Sequence, residues 1–371
     1  LWILRKALYG LKVAPQCFQR WFAGQMKSLE FERCVADPQL FYRKRDGAMD
    51  LTHADDCRLT AAPTNADAVQ EEIGNKMKIR WDRELGEPWT LFLGLLWRRL
   101  SPTFMQVKSD PRHLQQLLEI QNLKGAKPVQ TPLWSSQLEQ QMTELLLPAD
   151  AKVYRTGVGI LQWVALVRPD LQYSSKELAR SLSQPNTRDK ARLRKVTKYL
   201  LSTANIVLDL VVNLELDKTI IVYVDANFAA GESRKSTTGY VVLFQGMLLA
   251  TASKTQSVIA LSTAEAELLA ANSGTQEGLF AQSILREVTT ETLPIEVYTD
   301  STSGSSFVHR QGLGRMRHIE TRLLWLQQAV AERKVDVRTC SSADNLADVL
   351  TKQLPAQQLQ LASRRLGLHP E

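Results

Sequence analysis

The sequence predicts an α/β fold over residues 216–371, a mixed sheet with flanking helices, and three observations carry that expectation. Ile220-Ile-Val-Tyr-Val224 is an apolar run rich in β-branched residues, which reads as a strand buried on both faces, and it stops abruptly at Asp225. Ile295-Glu-Val-Tyr-Thr-Asp300 repeats the device, a short strand that ends in an acid. Between them, Tyr240–Phe244 and Leu248–Ser253 frame Gln245-Gly246 as a hairpin, and Ser262-Thr-Ala-Glu265 is a capping-box pattern that starts a helix.

Asp225 taken alone reads equally well as a residue of a strand-terminating turn. Its companions change that reading. Glu267 lies just inside the capped helix, ahead of the small residues Ala270, Ala271 and Gly274. Ala343-Asp-Asn-Leu-Ala-Asp348 opens a short helix after the strand-like Val335–Cys340. Asp225, Glu267, Asp300 and Asp348 are so far apart in the chain that only folding can gather them. Carboxylates converging at strand ends and helix starts suit hard cations such as Mg²⁺ or Mn²⁺. Two such ions ~3.5–4 Å apart can activate water and stabilise a leaving oxygen in phosphodiester hydrolysis.

These residues sit in motifs. Val224-Asp-Ala-Asn-Phe228, Arg234-Lys-Ser-Thr-Thr-Gly239, Leu261-Ser-Thr-Ala-Glu-Ala-Glu267, Tyr298-Thr-Asp300, Arg317-His-Ile-Glu320 and Leu346-Ala-Asp-Val-Leu-Thr-Lys352 occur in that order. Together they resemble the ribonuclease H domain of copia-type retrotransposon Pol polyproteins. The resemblance implies a ribonuclease H-like fold, a tetrad of Asp225, Glu267, Asp300 and Asp348 holding two Mg²⁺ or Mn²⁺ ions, and an RNA–DNA hybrid as substrate. Asn227, Phe228 and Ser301 depart from the family's usual Asp, Trp and Asn, and none of these departures removes a tetrad member.

A chain of 371 residues suits two or three domains, and 44% hydrophobic with 23% charged residues suits packed cores rather than disorder. It starts at Leu1 without an initiator Met, as expected of a piece of a longer polyprotein. No apolar run approaches the ~18 residues of a membrane span and no signal peptide is visible, so the expected location is intracellular, cytoplasmic or nuclear. Cys17, Cys34, Cys57 and Cys340 lack metal-binding spacing and read as free thiols. From Leu216 onward 15 Lys and Arg face 16 Asp and Glu, whereas upstream 31 face 23, so the net charge of +7 resides upstream. A basic arm beside an acid-lined site suits a polyanion; the alternative is a surface basic only for solubility.

Upstream, Gln16–Leu29 reads as a helix, and Leu40–Lys44 with Met49–Ala61 as a hairpin around Asp46-Gly47 whose second strand carries His53-Ala-Asp55-Asp56. Adjacent acids alone fit a polar turn as well as a metal site. Lys6-Ala-Leu-Tyr-Gly-Leu-Lys12, Ala14-Pro15, Leu85-Gly-Glu87, Phe92-Leu-Gly94 and Thr131-Pro-Leu133 resemble the reverse transcriptase of the same family. The resemblance implies that Asp55 and Asp56 are its metal-binding pair and that residues 1–133 are a truncated palm and thumb. His53 and Arg58 break the apolar surroundings the family has there, and the third palm acid belongs before Leu1. Asn65–Trp81 and His113–Leu123 read as helices, with Leu91–Leu100 and Phe104–Val107 as a strand pair.

Residues 134–215 read as a helical connection, with Ser135–Asp150 a linker or a short polar helix. Thr187–Thr203 interleaves Arg188, Lys190, Arg194 and Lys195 with Leu193, Val196 and Leu200. The resemblance implies duplex contact at those four cations; the alternative is a solvated helix face. Ile206–Val212 is expected to lead along the chain into the first strand of the expected nuclease domain. In the loop before the helix expected over 318–334, His318 and Arg317 match a family motif, which implies contact with the scissile phosphate or product, while His309 reads as a helix cap. Three alternatives stay open: a decayed remnant that binds nucleic acid without cutting, a reverse transcriptase completed by upstream Pol segments or a second copy, and an integrase or recombinase of the same superfamily.

Overall fold

The computed structural model describes residues 8, 10–134, 142–229, 233–313 and 321–371, with backbone alone at 321 and 322. It divides into two compact units, Leu1–Glu84 with Phe280–Leu293, and Leu85–Leu279 with Pro294–Glu371. Among the described residues no helix is long and apolar enough to cross a membrane, and Cys17, Cys34, Cys57 and Cys340 are free thiols.

In the first unit, helix α1 (Ala14–Ser28) begins with Pro15, whose missing N–H is no loss in the first turn, and buries Phe22 and Met26. Strands β1 (Glu32–Arg33), β2 (Leu40–Arg43), β3 (Ala48–His53) and β4 (Asp56–Thr60) form an antiparallel sheet in chain order. Helix α2 (Ala66–Lys76) adds Val69 and Ile73 to a core with Phe22, Met26, Phe31 and Phe41. Arg43, 1% exposed, pairs with Asp46 and Glu72, because a buried guanidinium left unpaired would cost several kcal/mol. The strand expected over residues 49–61 is two strands. The chain reverses at Ala54-Asp55, with Ala54 at φ 54° and His53 paired to Asp56. No glycine or asparagine marks that turn, so alternation alone ran through it.

In the second unit the elements are β5 (Thr90–Phe92), β6 (Leu95–Ser101), β7 (Phe104–Ser109), α3 (Pro111–Ile120), α4 (Pro148–Val164), α5 (Pro169–Ala179), α6 (Thr187–Ser202) and β8 (Ile206–Val211). There follow β9 (Ile220–Asn227), β10 (Thr237–Phe244), β11 (Met247–Thr255), α7 (Thr263–Thr289), β12 (Ile295–Thr299), α8 (Thr302–Val308), α9 (Trp325–Ala331), β13 (Asp336–Thr339), a 3-10 turn at Leu346–Leu350, α10 (Ala356–Arg365) and β14 (Leu368–Pro370). One sheet has the order β11-β10-β9-β12-β13: three antiparallel strands, then two parallel ones reached by helical crossovers. That is the mixed α/β sheet the sequence predicts. The second sheet, β14-β8-β7-β6-β5, is antiparallel throughout. Strand β8, which leads along the chain into β9, pairs with β7 and β14 and so belongs to this second sheet.

Helices α4, α5 and α6 share a core in which Tyr154, Leu161, Leu171, Leu193 and Val196 join Val241 and Leu350 of the mixed sheet and its 3-10 turn. Within it Arg168 and Asp170 form a buried pair, satisfied further by the hydroxyls of Tyr199 and Thr203. Helix α7 lies unusually close to β9. A Cβ at Gly274 would stand 2.4 Å from Val224 Cγ1, so only glycine lets the helix seat there.

Candidate functional site

The acids arrive from four elements. Asp225 lies inside β9, which runs on to Asn227, and so is not the terminal residue the sequence suggested; its register partner is Gly239 on β10. Asp300 follows β12 directly, Asp348 sits in the 3-10 turn, and Glu267 faces inward from the first turns of α7. Carboxylate oxygens of Asp225, Asp300 and Asp348 all lie within 4.8 Å of one another. Glu267 is their neighbour, 7% exposed, and the fields of Asp225 and Asp300 act on it.

Why the 3-10 turn can approach β9 is a matter of one missing side chain. A Cβ at Gly239 would meet Thr351 Cγ2 at 2.7 Å and the Ala347 carbonyl at 3.0 Å. With glycine there, the turn seats against the strand and Thr351, fully buried, donates its hydroxyl to Asp225. Asn345 caps the turn by accepting from the Ala347 N–H, and its amide donates to the Val224 carbonyl at 2.9 Å and to Asp300 at 3.3 Å. Ser342 donates to the other Asp300 oxygen at 2.7 Å, and Asn227 donates to the Thr351 carbonyl at 3.1 Å. Lys352, one turn beyond Asp348, reaches its Oδ2 at 2.8 Å.

The electrostatics follow from crowding acids in a half-dry site. Burial, with the fields of Asp348 and Asp300, pushes Asp225 up to about 6 against the Thr351 hydrogen bond. Burial and then Asp225 and Asp300 push Glu267 up to about 8, opposed by the Ala226 N–H and Lys352. Burial also raises Asp348, although Lys352 holds it down in part. For Lys352 burial opposes the charge, but the Asp348 hydrogen bond and the surrounding carboxylates outweigh it and keep the ammonium above its ordinary range. Glu267 Oε2 and Asp348 Oδ1 are buried without a hydrogen-bond partner, a costly condition that a bound cation would relieve.

The other sequence-predicted residues are placed differently. Asp55 and Asp56 stand exposed at the β3–β4 turn, and among the described residues Asp225, Asp300 and Asp348 form the one group suited to a metal. On α6, Lys190 pairs with Asp150 at 2.9 Å and Arg194 donates to the Gln121 carbonyl at 2.7 Å, while Arg188 and Lys195 are half-buried. The helix face is therefore partly committed to the protein itself. His309 Nδ1 lies 2.8 Å from the Ser305 carbonyl, an end-of-helix contact. Arg317 and His318 lie outside the described residues, as do residues 135–141 of the expected linker. Sequence reasoning missed Thr351, Asn345, Ser342 and Lys352. Only Lys352 carried a local signal, its helical spacing from Asp348.

No protein-family model matches the chain. It is 29% identical, over 99% of its length, to a retrovirus-related Pol polyprotein from transposon TNT 1-94 of Nicotiana tabacum, covering 28% of that protein. Over 98% of its length it is also 29% identical to the retrovirus-related Pol polyprotein from transposon RE1 of Arabidopsis thaliana, covering 25% of it. The chain thus spans about a quarter of the length of the curated relatives it matches. Among solved structures, the N-terminal RNase H domain of a Mycobacterium tuberculosis protein aligns at 15% identity over 40% of this chain and 98% of that one, with a TM-score of 0.26.

Proposed function

We propose that this chain, which is similar along 98–99% of its length to retrovirus-related Pol polyproteins of transposons, uses its acid cluster to cleave the RNA strand of RNA–DNA hybrids with the help of two divalent cations, Mg²⁺ or Mn²⁺. One observation carries the reading: three carboxylates from three separate elements meet within 4.8 Å, with Glu267 beside them. Acids so crowded are unfavourable without cations. The donor set fits hard ions, being all oxygen, with two buried carboxylate oxygens still lacking partners. In this reading residues 216–371 act as the nuclease, 134–215 as a connection, and 1–133 as a polymerase palm and thumb that does not work alone. Arg188, Lys190, Arg194, Lys195 and Arg317 would contact the duplex and His318 the scissile phosphate or product.

Asp225, Glu267, Asp300 and Asp348 would hold the ions, whose chemistry when bound is activation of water and neutralisation of the leaving 3′ oxygen. The chain's own groups do the positioning. Thr351 aims Asp225 by its hydroxyl, and Asn345 ties Asp300 to the backbone of β9 so that two acids keep one spacing. Ser342 fixes the second Asp300 oxygen. Lys352 offsets the charge of Asp348 and restrains its carboxylate. The substrate's 2′-OH is the group that distinguishes RNA from DNA.

The test is cleavage of labelled hybrid with Mg²⁺ or Mn²⁺, beside DNA-duplex and RNA-duplex controls and the variant Asp300→Asn. The native chain should cut only the RNA strand of the hybrid and stop on addition of EDTA. Asp300→Asn should abolish cleavage while leaving the circular dichroism spectrum intact, since it keeps the volume and removes a charge. An uncut hybrid with the native chain, or full activity in the variant, refutes the reading.

A further inference from the structure

Glu371, directly after β14, closes over a cationic niche on the second sheet. Arg98 on β6 and Lys108 on β7 both stack on the indole of Trp89, 4.5 Å and 4.1 Å from its ring centroid. All three then converge on the Glu371 carboxylate. Trp89 Nε1 donates to Oε1 at 2.8 Å, Arg98 stands 3.5 Å from the same oxygen, and Lys108 donates to Oε2. Arg98 is held from behind. Its Nε donates to Gln106 at 2.6 Å, and Gln106, 6% exposed, donates to Asp209 at 2.7 Å. The Arg98 and Lys108 side chains keep 21% and 17% exposure, so the niche is built yet reachable.

Two cations held on one indole repel each other unless an anion lies between them. A guanidinium, an ammonium and an N–H donor suit a phosphate as well as a carboxylate. We propose that Trp89, Arg98 and Lys108 form a binding site for a phosphate of the nucleic-acid backbone, and that Glu371 is its internal occupant, displaced when nucleic acid binds. Displacement is local, because Glu371 is tethered by the three residues of β14, which among the described residues pair only with β8, and by its N–H to the Asn205 carbonyl at 2.8 Å. The inference rests on the reading that this chain handles nucleic acid, and is independent of whether it cuts.

The experiment is fluorescence anisotropy of labelled RNA–DNA hybrid and labelled DNA duplex with the full chain in EDTA, between about 50 and 200 mM salt. Glu371→Gln should bind several-fold tighter and steepen the salt dependence by roughly 0.9 log unit per phosphate gained. Arg98→Gln/Lys108→Gln should by itself weaken binding modestly and flatten the salt dependence, since displacing Glu371 offsets part of the phosphate contact in the native chain, and should cancel the gain when combined with Glu371→Gln. That non-additivity is what a purely structural latch would not produce. If Glu371→Gln only lowers the melting temperature, with affinity and salt slope unchanged, the proposal is overturned. If neither the native chain nor Glu371→Gln binds either duplex, the proposal falls together with the nucleic-acid reading.

Discussion

Replacing Glu267 by Gln should stabilise the metal-free protein, and only at neutral to alkaline pH. Glu267 is 7% exposed and is pushed up to about 8 from an ordinary 4.5, by burial first and by Asp225 and Asp300 next. At ~1.4 kcal/mol for each tenfold change in proton affinity, carrying that charge into the fold costs on the order of 4 kcal/mol near pH 8. The folded chain holds this proton more tightly than the unfolded chain does. Stability from this group is therefore full below pH 4.5 and is lost as pH rises through about 8. Gln has no such titration. Urea unfolding in EDTA should find the variant more stable than the native chain by roughly 3–4 kcal/mol more at about pH 8 than at about pH 5. Comparing two pH values separates the charge from any packing change made by the amide. Added Mg²⁺ should reverse the order at the higher pH, because the native tetrad gains a ligand that the variant binds less well. An identical difference at both pH values, or a variant less stable near pH 8, would refute the account of the site as mutually repelling acids.

Gly239→Ala should cost ~1–3 kcal/mol and most of the cleavage activity, because its Cβ would meet Thr351 and the Ala347 carbonyl and lift the turn carrying Asp348; a fully active, equally stable variant would show that the turn has room to move. Changing Arg188, Lys190, Arg194 and Lys195 together to Gln should flatten the salt dependence of hybrid binding by roughly 0.9 log unit for each phosphate no longer neutralised, and an unchanged slope would return α6 to a purely structural role. Primer extension on a homopolymer template should give no product with either Mg²⁺ or Mn²⁺, since Asp55 and Asp56 stand on an exposed turn and, among the described residues, join no group of metal-binding side chains. Extension that disappears in Asp55→Asn/Asp56→Asn would overturn that expectation.

Much of the fold of residues 216–371 was legible along the chain, because strand period, helix capping and turn chemistry are local. Ile220–Val224, the Gln245-Gly246 reversal and the Ser262–Glu265 helix start all stand where those rules put them. Boundaries and partners were not local. β9 overruns Asp225 because β10 pairs with it as far as Asn227, and β8 joins the second sheet because β7 and β14 offer it edges from distant parts of the chain. The β3–β4 reversal was hidden because Ala54, an ordinary residue, adopts the left-handed conformation there.

Asp225, Glu267, Asp300 and Asp348 could be singled out along the chain as candidates, because each stands beside a strand-like run or a helix start in the sequence. Their convergence was decided only by the tertiary structure. Like charges supply no local attraction, so nothing in the neighbourhood of Asp225 asks for Asp348. What brings them within reach is the sheet order, the close seat of α7 at Gly274 and of the 3-10 turn at Gly239, and the core beneath. The same packing selects Thr351, Asn345 and Lys352 as the groups that hold the acids in place, through hydrogen bonds whose partners lie up to 126 residues away.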